Sequence, residues 1–226
     1  MKTHFAALAL AAAVLLPLRV VSAGQPAQAS PILNELEWRQ ALGGTGGADH
    51  ARLEAHFAAL ADRYAGEATR HESMARRYPA GSHKGIGPDL RAHCNNLVRL
   101  NRRLDASARS LAKIHATAAP GQAQPTPPQG LSSNLGVRQA SEDELTAFAE
   151  KAAAAGDHQG LAEYWLKLAE RYDTDASVHQ GMATLYRTGR TAGAADHCER
   201  LAQTARAAAK EAKAASGQHA AGKPQR

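Results

Sequence analysis

Hydrophobic and polar positions recur every seven residues along two long stretches of the chain. In the first, His50, Phe57, Tyr64, His71 and Tyr78 make one seam, and Leu53, Leu60, Glu67 and Met74 make a second beside it. In the next, Cys94, Asn101, Ala108 and His115 alternate with Leu90, Leu97, Leu104 and Leu111. Residues three, four and seven apart share one helix face, so each stretch predicts a long helix with a single core-facing stripe. Between them lies Pro79 to Pro88 (PAGSHKGIGP). A proline inside a helix costs about 3 kcal/mol, so this segment reads as the turn of an antiparallel helical hairpin.

The pattern then occurs again. A shift of 108 lays 49–78 on 157–186 without a gap, with identity at Asp49, His50, Leu53, Leu60, Ala61, Arg63, Tyr64, Ala68, His71, Met74, Ala75 and Tyr78. After a turn four residues shorter, His93-Cys94 falls on His197-Cys198 and His115-Ala116 on His219-Ala220. The second copy keeps its seams as His158, Trp165, Tyr172, His179 and Tyr186 with Leu161, Leu168, Asp175 and Met182. Its last helix carries Ala205, Ala208, Ala212 and Ala215 where the first copy has mostly larger residues, and is expected to fray. One hairpin buries one stripe per helix and is marginal alone, so the two are expected to pack as a four-helix bundle or to pair between chains. The expected fold class is all-α: tandem duplicated antiparallel helical hairpins, four-helix-bundle-like, each preceded by a short helix.

The short helices have their own signals. Ser30-Pro31 starts a segment that stops at Gly43-Gly44, and Ser141 with Glu144 forms a capping box before a segment that stops at Gly156. Upstream, Lys2, the apolar run Phe5 to Leu18 and the small residues Val21-Ser22-Ala23 read as a secretory signal. The expected organisation is a signal peptide over 1–23, a first hairpin unit over 24–118, a linker rich in Pro, Gln and Ser over 119–140, a second unit over 141–216 and a disordered tail over 217–226. The destination is periplasmic or secreted.

Composition narrows the class. With 44% hydrophobic and 21% charged residues the chain is neither a disordered polyelectrolyte nor a membrane bundle, and 4% aromatics argue against a β-sandwich. No second apolar run follows the signal, so no membrane span is expected after cleavage. Removal of Lys2 and Arg19 leaves 25 basic against 21 acidic residues, a mild excess. Arg99, Arg102, Arg103, Arg109 and Lys113 lack interleaved aromatics and read as a solvated helix face, not a nucleic-acid surface.

The remaining chemistry lies in the repeat. Of eleven His, eight are matched between copies (50, 71, 93, 115 and 158, 179, 197, 219), as are both Cys and every Met except Met1. Near the turn of the first hairpin, His71, Met74, His93 and Cys94 are expected to gather with Glu67. Their counterparts are His179, Met182, His197 and Cys198 with Asp175. Imidazole, thioether and thiolate favour copper, with zinc second. At the other end of each hairpin His50 should lie near His115, and His158 near His219; two ligands are too few for a closed site. A competing expectation joins Cys94 to Cys198 in a disulfide, which stabilises by about 2–4 kcal/mol and suits an exported protein. The chain would then be a stapled structural or protein-interaction module without metal, with further copies of itself among the expected partners. No HExxH, CxxCH or GxSxG motif is present, and no enzyme is expected.

The HxxMAxxY segment at His71 to Tyr78, followed by HCxxL at His93 to Leu97, resembles a pattern in a family of exported bacterial helical-hairpin proteins. There one hairpin follows a signal peptide. The resemblance covers 49–116 and, less completely, 157–220, where Arg76-Arg77 gives way to Thr184-Leu185. It implies export and the hairpin fold, and carries no activity with it. Residues alone therefore set the functional expectation: an exported, non-catalytic protein that binds or sequesters copper before zinc.

Overall fold

A computed structural model describes residues 31–43, 48–77, 89–118, 142–188 and 192–221. The signal segment 1–23, Ser30, Tyr78 with the turn 79–88, the linker 119–140, Ser141 and the last five residues lie outside them. The chain is all-α, with α1 (Glu35–Gly43), α2 (His50–Arg77), α3 (Asp89–Ala118), α4 (Glu142–Ala155), α5 (His158–Thr188) and α6 (Ala192–Ala221).

The helix ends follow local chemistry. At α1 the cap is Asn34, not Ser30-Pro31: its Oδ1 accepts the Glu37 N–H at 3.0 Å while Glu37 Oε2 accepts the Asn34 N–H at 2.8 Å. This reciprocal pair satisfies two amides that the helix cannot. The two hairpins start alike, with Asp49 Oδ1 accepting from Arg52 N at 3.0 Å and Asp157 Oδ1 from Gly160 N at 2.9 Å. Gly156 ends α4 at φ +63°, where a side chain is strained.

Helix α2 packs along α3, and α5 along α6, as the heptads predict. The two hairpins then dock on each other within the chain. Helices α3 and α6 lie side by side, whereas no described Cα of α2 comes within 8 Å of one in α5. Side-chain size explains the difference. Ala205, Ala208, Ala212 and Ala215 are fully buried on α6, small side chains on a helix that packs on both α5 and α3. Tyr64, Trp165 and Tyr172 are equally buried and hold α2 and α5 apart. The alanine-rich helix does not fray: it is continuous to Ala221, so 217–221, expected as disordered tail, are helical and His219 is buried.

Contacts across the α2–α5 gap run in opposite directions. Phe57 stacks with His179, Arg63 and Tyr64 meet Asp175, Glu67 meets Arg171, and His71 stacks on Trp165. Adding 108 to an α2 residue gives its α5 equivalent, so Phe57 with His179 becomes Trp165 with His71 and Arg63 with Asp175 becomes Arg171 with Glu67; Tyr64 differs, bonding Asp175 where the Tyr172 hydroxyl bonds Asn101. The hairpins are related by an approximate two-fold axis. The turn of each therefore stands beside the open end of the other.

Helix α1 wedges between α2 and α5. Trp38 is buried against Gly181 of α5, where an added Cβ would lie 3.3 Å from the indole Cη2. Helix α4 covers α5 with Leu145, Ala149 and Ala152. Among the described residues no helix is long and apolar enough to cross a membrane.

Candidate functional site

The turn-end residues divide into separate environments. His71, on α2, faces the other hairpin: its ring lies 5.4 Å from Trp165, tilted by 12°, and its Nε2 is 3.8 Å from Glu67 Oε2. Burial pushes it down to about 4, against the opposing pull of Glu67. His179 has the equivalent place, with Nε2 3.4 Å from the Tyr64 hydroxyl, and burial lowers it to about 4 as well. His93 turns to α6, its Nδ1 2.6 Å from Glu211, which also accepts from Asn96 Nδ2 at 2.9 Å. His197 is partly exposed and Met74 partly buried, while Met182 is fully buried. The expected four-donor cluster is thus spread over two interfaces. Among the described residues no three His, Cys, Asp or Glu side chains gather closely enough to hold a metal ion.

Cys94 and Cys198 are both buried free thiols. Burial pushes Cys94 up to about 12 and Cys198 higher still, so neither is a ready thiolate. The expected disulfide is not formed, and the docking direction explains why. His93, the neighbour of Cys94, touches Glu211, and Cys198 lies thirteen residues before Glu211 on the same helix. That is about 20 Å along α6, whereas a disulfide needs Cα atoms within about 7 Å.

The open-end pairs do form. Nδ1 of His50 lies 2.9 Å from Nδ1 of His115, and Nδ1 of His158 lies 3.3 Å from Nδ1 of His219. Each pair ties the start of one hairpin helix to the end of its mate. His115 Nε2 is in turn 2.7 Å from the hydroxyl of Tyr186, on the second hairpin. With the hydroxyl donating to Nε2, His115 carries its proton on Nδ1 and donates to His50.

No protein-family model, curated protein or solved structure matches the chain.

Two electrostatic effects act on these pairs. Burial, then the second imidazole, pushes His115 down to about 4. His219 is lowered to about 4 by burial, by His158 and by His93, which reaches it from the turn of the first hairpin. At the other end the Tyr186 phenol is raised by burial and by Cys198. Turn-end and open-end residues are thus neighbours across the two hairpins, which a reading of each hairpin alone misses. At neutral pH His115 and His219 are uncharged, the form in which imidazole binds metals.

Proposed function

We propose that this is an exported, non-catalytic helical bundle that binds a soft metal ion, copper before zinc, once at each end. The observation that carries the reading is the matched pair of facing imidazoles, His50 with His115 and His158 with His219. Two nitrogens bound to one ion at about 2.0–2.1 Å stand about 3.3 Å apart at the tetrahedral angle. The pair at His158 has that spacing, 3.3 Å, and the pair at His50, 2.9 Å, needs a few tenths of an ångström more. Structural zinc takes four ligands. Each end offers two imidazoles, donors that suit copper as well as zinc and are too few for the closed four-ligand zinc site, which puts copper first.

The mature protein, free of any tag, should be titrated with copper(I) under reducing conditions against a competing chelator. Two equivalents are expected. Substitution of His50 and His115 by Ala should remove one, and substitution of His158 and His219 the other. A wild-type protein that retains no metal, or retention unchanged when all four are Ala, refutes the reading. The imidazole pairs are then N–H to N hydrogen bonds that fix helix ends.

A further inference from the structure

The exchange of hairpins that maps Arg63 with Asp175 onto Arg171 with Glu67 fails at one hydroxyl. Tyr64 puts its oxygen between a carboxylate and an imidazole of α5: it donates to Asp175 Oδ2 at 3.1 Å and stands 3.4 Å from His179 Nε2. The equivalent residues in the other half are Tyr172, Glu67 and His71. There the hydroxyl is engaged elsewhere, 2.7 Å from Nδ2 and 3.0 Å from Oδ1 of Asn101 on α3. The repeat accounts for the difference, because the α6 residue that matches Asn101 is Ala205, which has no side-chain amide to offer.

Glu67 and His71 therefore lack the bridge that Asp175 and His179 have. Glu67 Oε1 accepts from Arg171. Its Oε2 and both ring nitrogens of His71 have no hydrogen-bond partner among the described residues, and both side chains are buried. Oε2 and His71 Nε2 stand 3.8 Å apart, too far for a direct hydrogen bond. One oxygen about 2.8 Å from each atom spans that separation. Tyr164 is equally buried, its ring 5.1 Å from that of Trp165, on which His71 stacks, and its hydroxyl is unpartnered among the described residues. Burial, then the charge of Glu67, raises its phenol, so the two groups are within electrostatic reach. Buried polar atoms left unpaired cost stability, and an interior water is held by about two to four such partners.

We propose that Glu67 and His71, with Tyr164, form an internal binding site for a water molecule, and that Asn101 preserves it by holding the Tyr172 hydroxyl away. The water oxygen takes the place that the Tyr64 hydroxyl has in the other half. It donates to Glu67 Oε2 and accepts from His71 Nε2, as Tyr64 donates to Asp175 and accepts from His179. Glu67 thereby gains, beside Arg171, the second donor that Asp175 has beside Arg63.

The test is a high-resolution crystal structure of the full-length mature protein, together with a count of its long-lived internal waters in solution by oxygen-17 magnetic relaxation dispersion. An ordered oxygen is expected within about 3.2 Å of both Glu67 Oε2 and His71 Nε2, with none between Asp175 and His179. Tyr64→Phe keeps the ring and removes the bridging hydroxyl, so it should gain one long-lived water over the wild type. In Asn101→Ala the Tyr172 hydroxyl should move between Glu67 and His71 and displace the water there. Direct contact of Glu67 with His71 in the wild type, or no oxygen between them, overturns the proposal, and this result needs no variant to fold. No water gained by folded Tyr64→Phe also overturns it. A Tyr172 hydroxyl that stays in place in Asn101→Ala refutes the part assigned to Asn101.

Discussion

Glu67 is buried in the middle of the bundle and stays ionised because its neighbours outweigh its surroundings. Burial pushes its carboxyl up; Arg171, His71 and Arg70 hold it below the usual range. Arg171 stands in the same relation, burial opposing its charge and Glu67 supporting it. A buried ion pair contributes little net stability, but removing one partner strands the other. Arg171→Met should therefore destabilise the protein by about 3–5 kcal/mol, whereas Arg171→Met with Glu67→Leu should cost much less and could raise stability. Urea unfolding of the three proteins checks this. A single variant as stable as the double would mean that Glu67 is adequately served by Arg70 and His71.

At the level of elements, the two sides of the bundle differ in what separates them. Ala208 is fully buried on α6, which packs on α5 and α3, while Ala207, its chain neighbour, faces solvent. Ala208→Leu should lower stability by about 1–3 kcal/mol through overpacking, and Ala207→Leu should change it by less than about 0.5 kcal/mol. Thermal unfolding separates the two, and equal effects would show that the site of Ala208 is not closely packed. The same helix marks the limit of what the sequence reveals. Seven-residue periodicity identified both hairpins, their buried seams and the His50–His115 and His158–His219 pairs, because these depend on spacing within one helix and on one turn. It could not tell that α6 also packs on α3 of the other hairpin, since periodicity names a face but not its partner. Nor could it give the direction of docking. That is set by contacts such as Arg63 with Asp175, 112 residues apart, and it alone decides that Cys94 and Cys198 are distant and that the expected His71, Met74, His93 and Cys94 cluster is divided. Asn34 as the α1 cap was legible, as an Asn three residues before Glu37, but Ser30-Pro31 offered a competing signal upstream, with Ser30 outside the described residues.

For the whole molecule, the buried imidazoles make stability depend steeply on pH. Burial is the main cause in every case: His56 is pushed down to about 3, and His71, His115, His179 and His219 to about 4. Unfolded, each would titrate near 6.5. Between these values the unfolded chain binds protons that the folded chain refuses. The stability these neutral groups confer is present in full above pH 6.5 and is lost as pH falls from there towards 4. Glu67 and Asp175 act in the same sense at lower pH. Burial pushes both up, but Arg171 and Arg63 hold them low, so their contribution is present above the ordinary carboxylate range and is lost as pH falls through their folded values. One group contributes at most about 1.4 kcal/mol per pH unit, so five imidazoles together reach about 7 kcal/mol per unit in the steepest region. Small domains have only about 5–15 kcal/mol in total. The bundle should accordingly lose its helical signal cooperatively between pH 6 and pH 4, followed by circular dichroism at low salt. Replacing His71 and His179 by Phe, which keeps a ring at each stacked position, should move that transition to lower pH. A melting temperature unchanged from pH 7 to pH 4.5 would show that the imidazoles are reached by solvent and protonate in place.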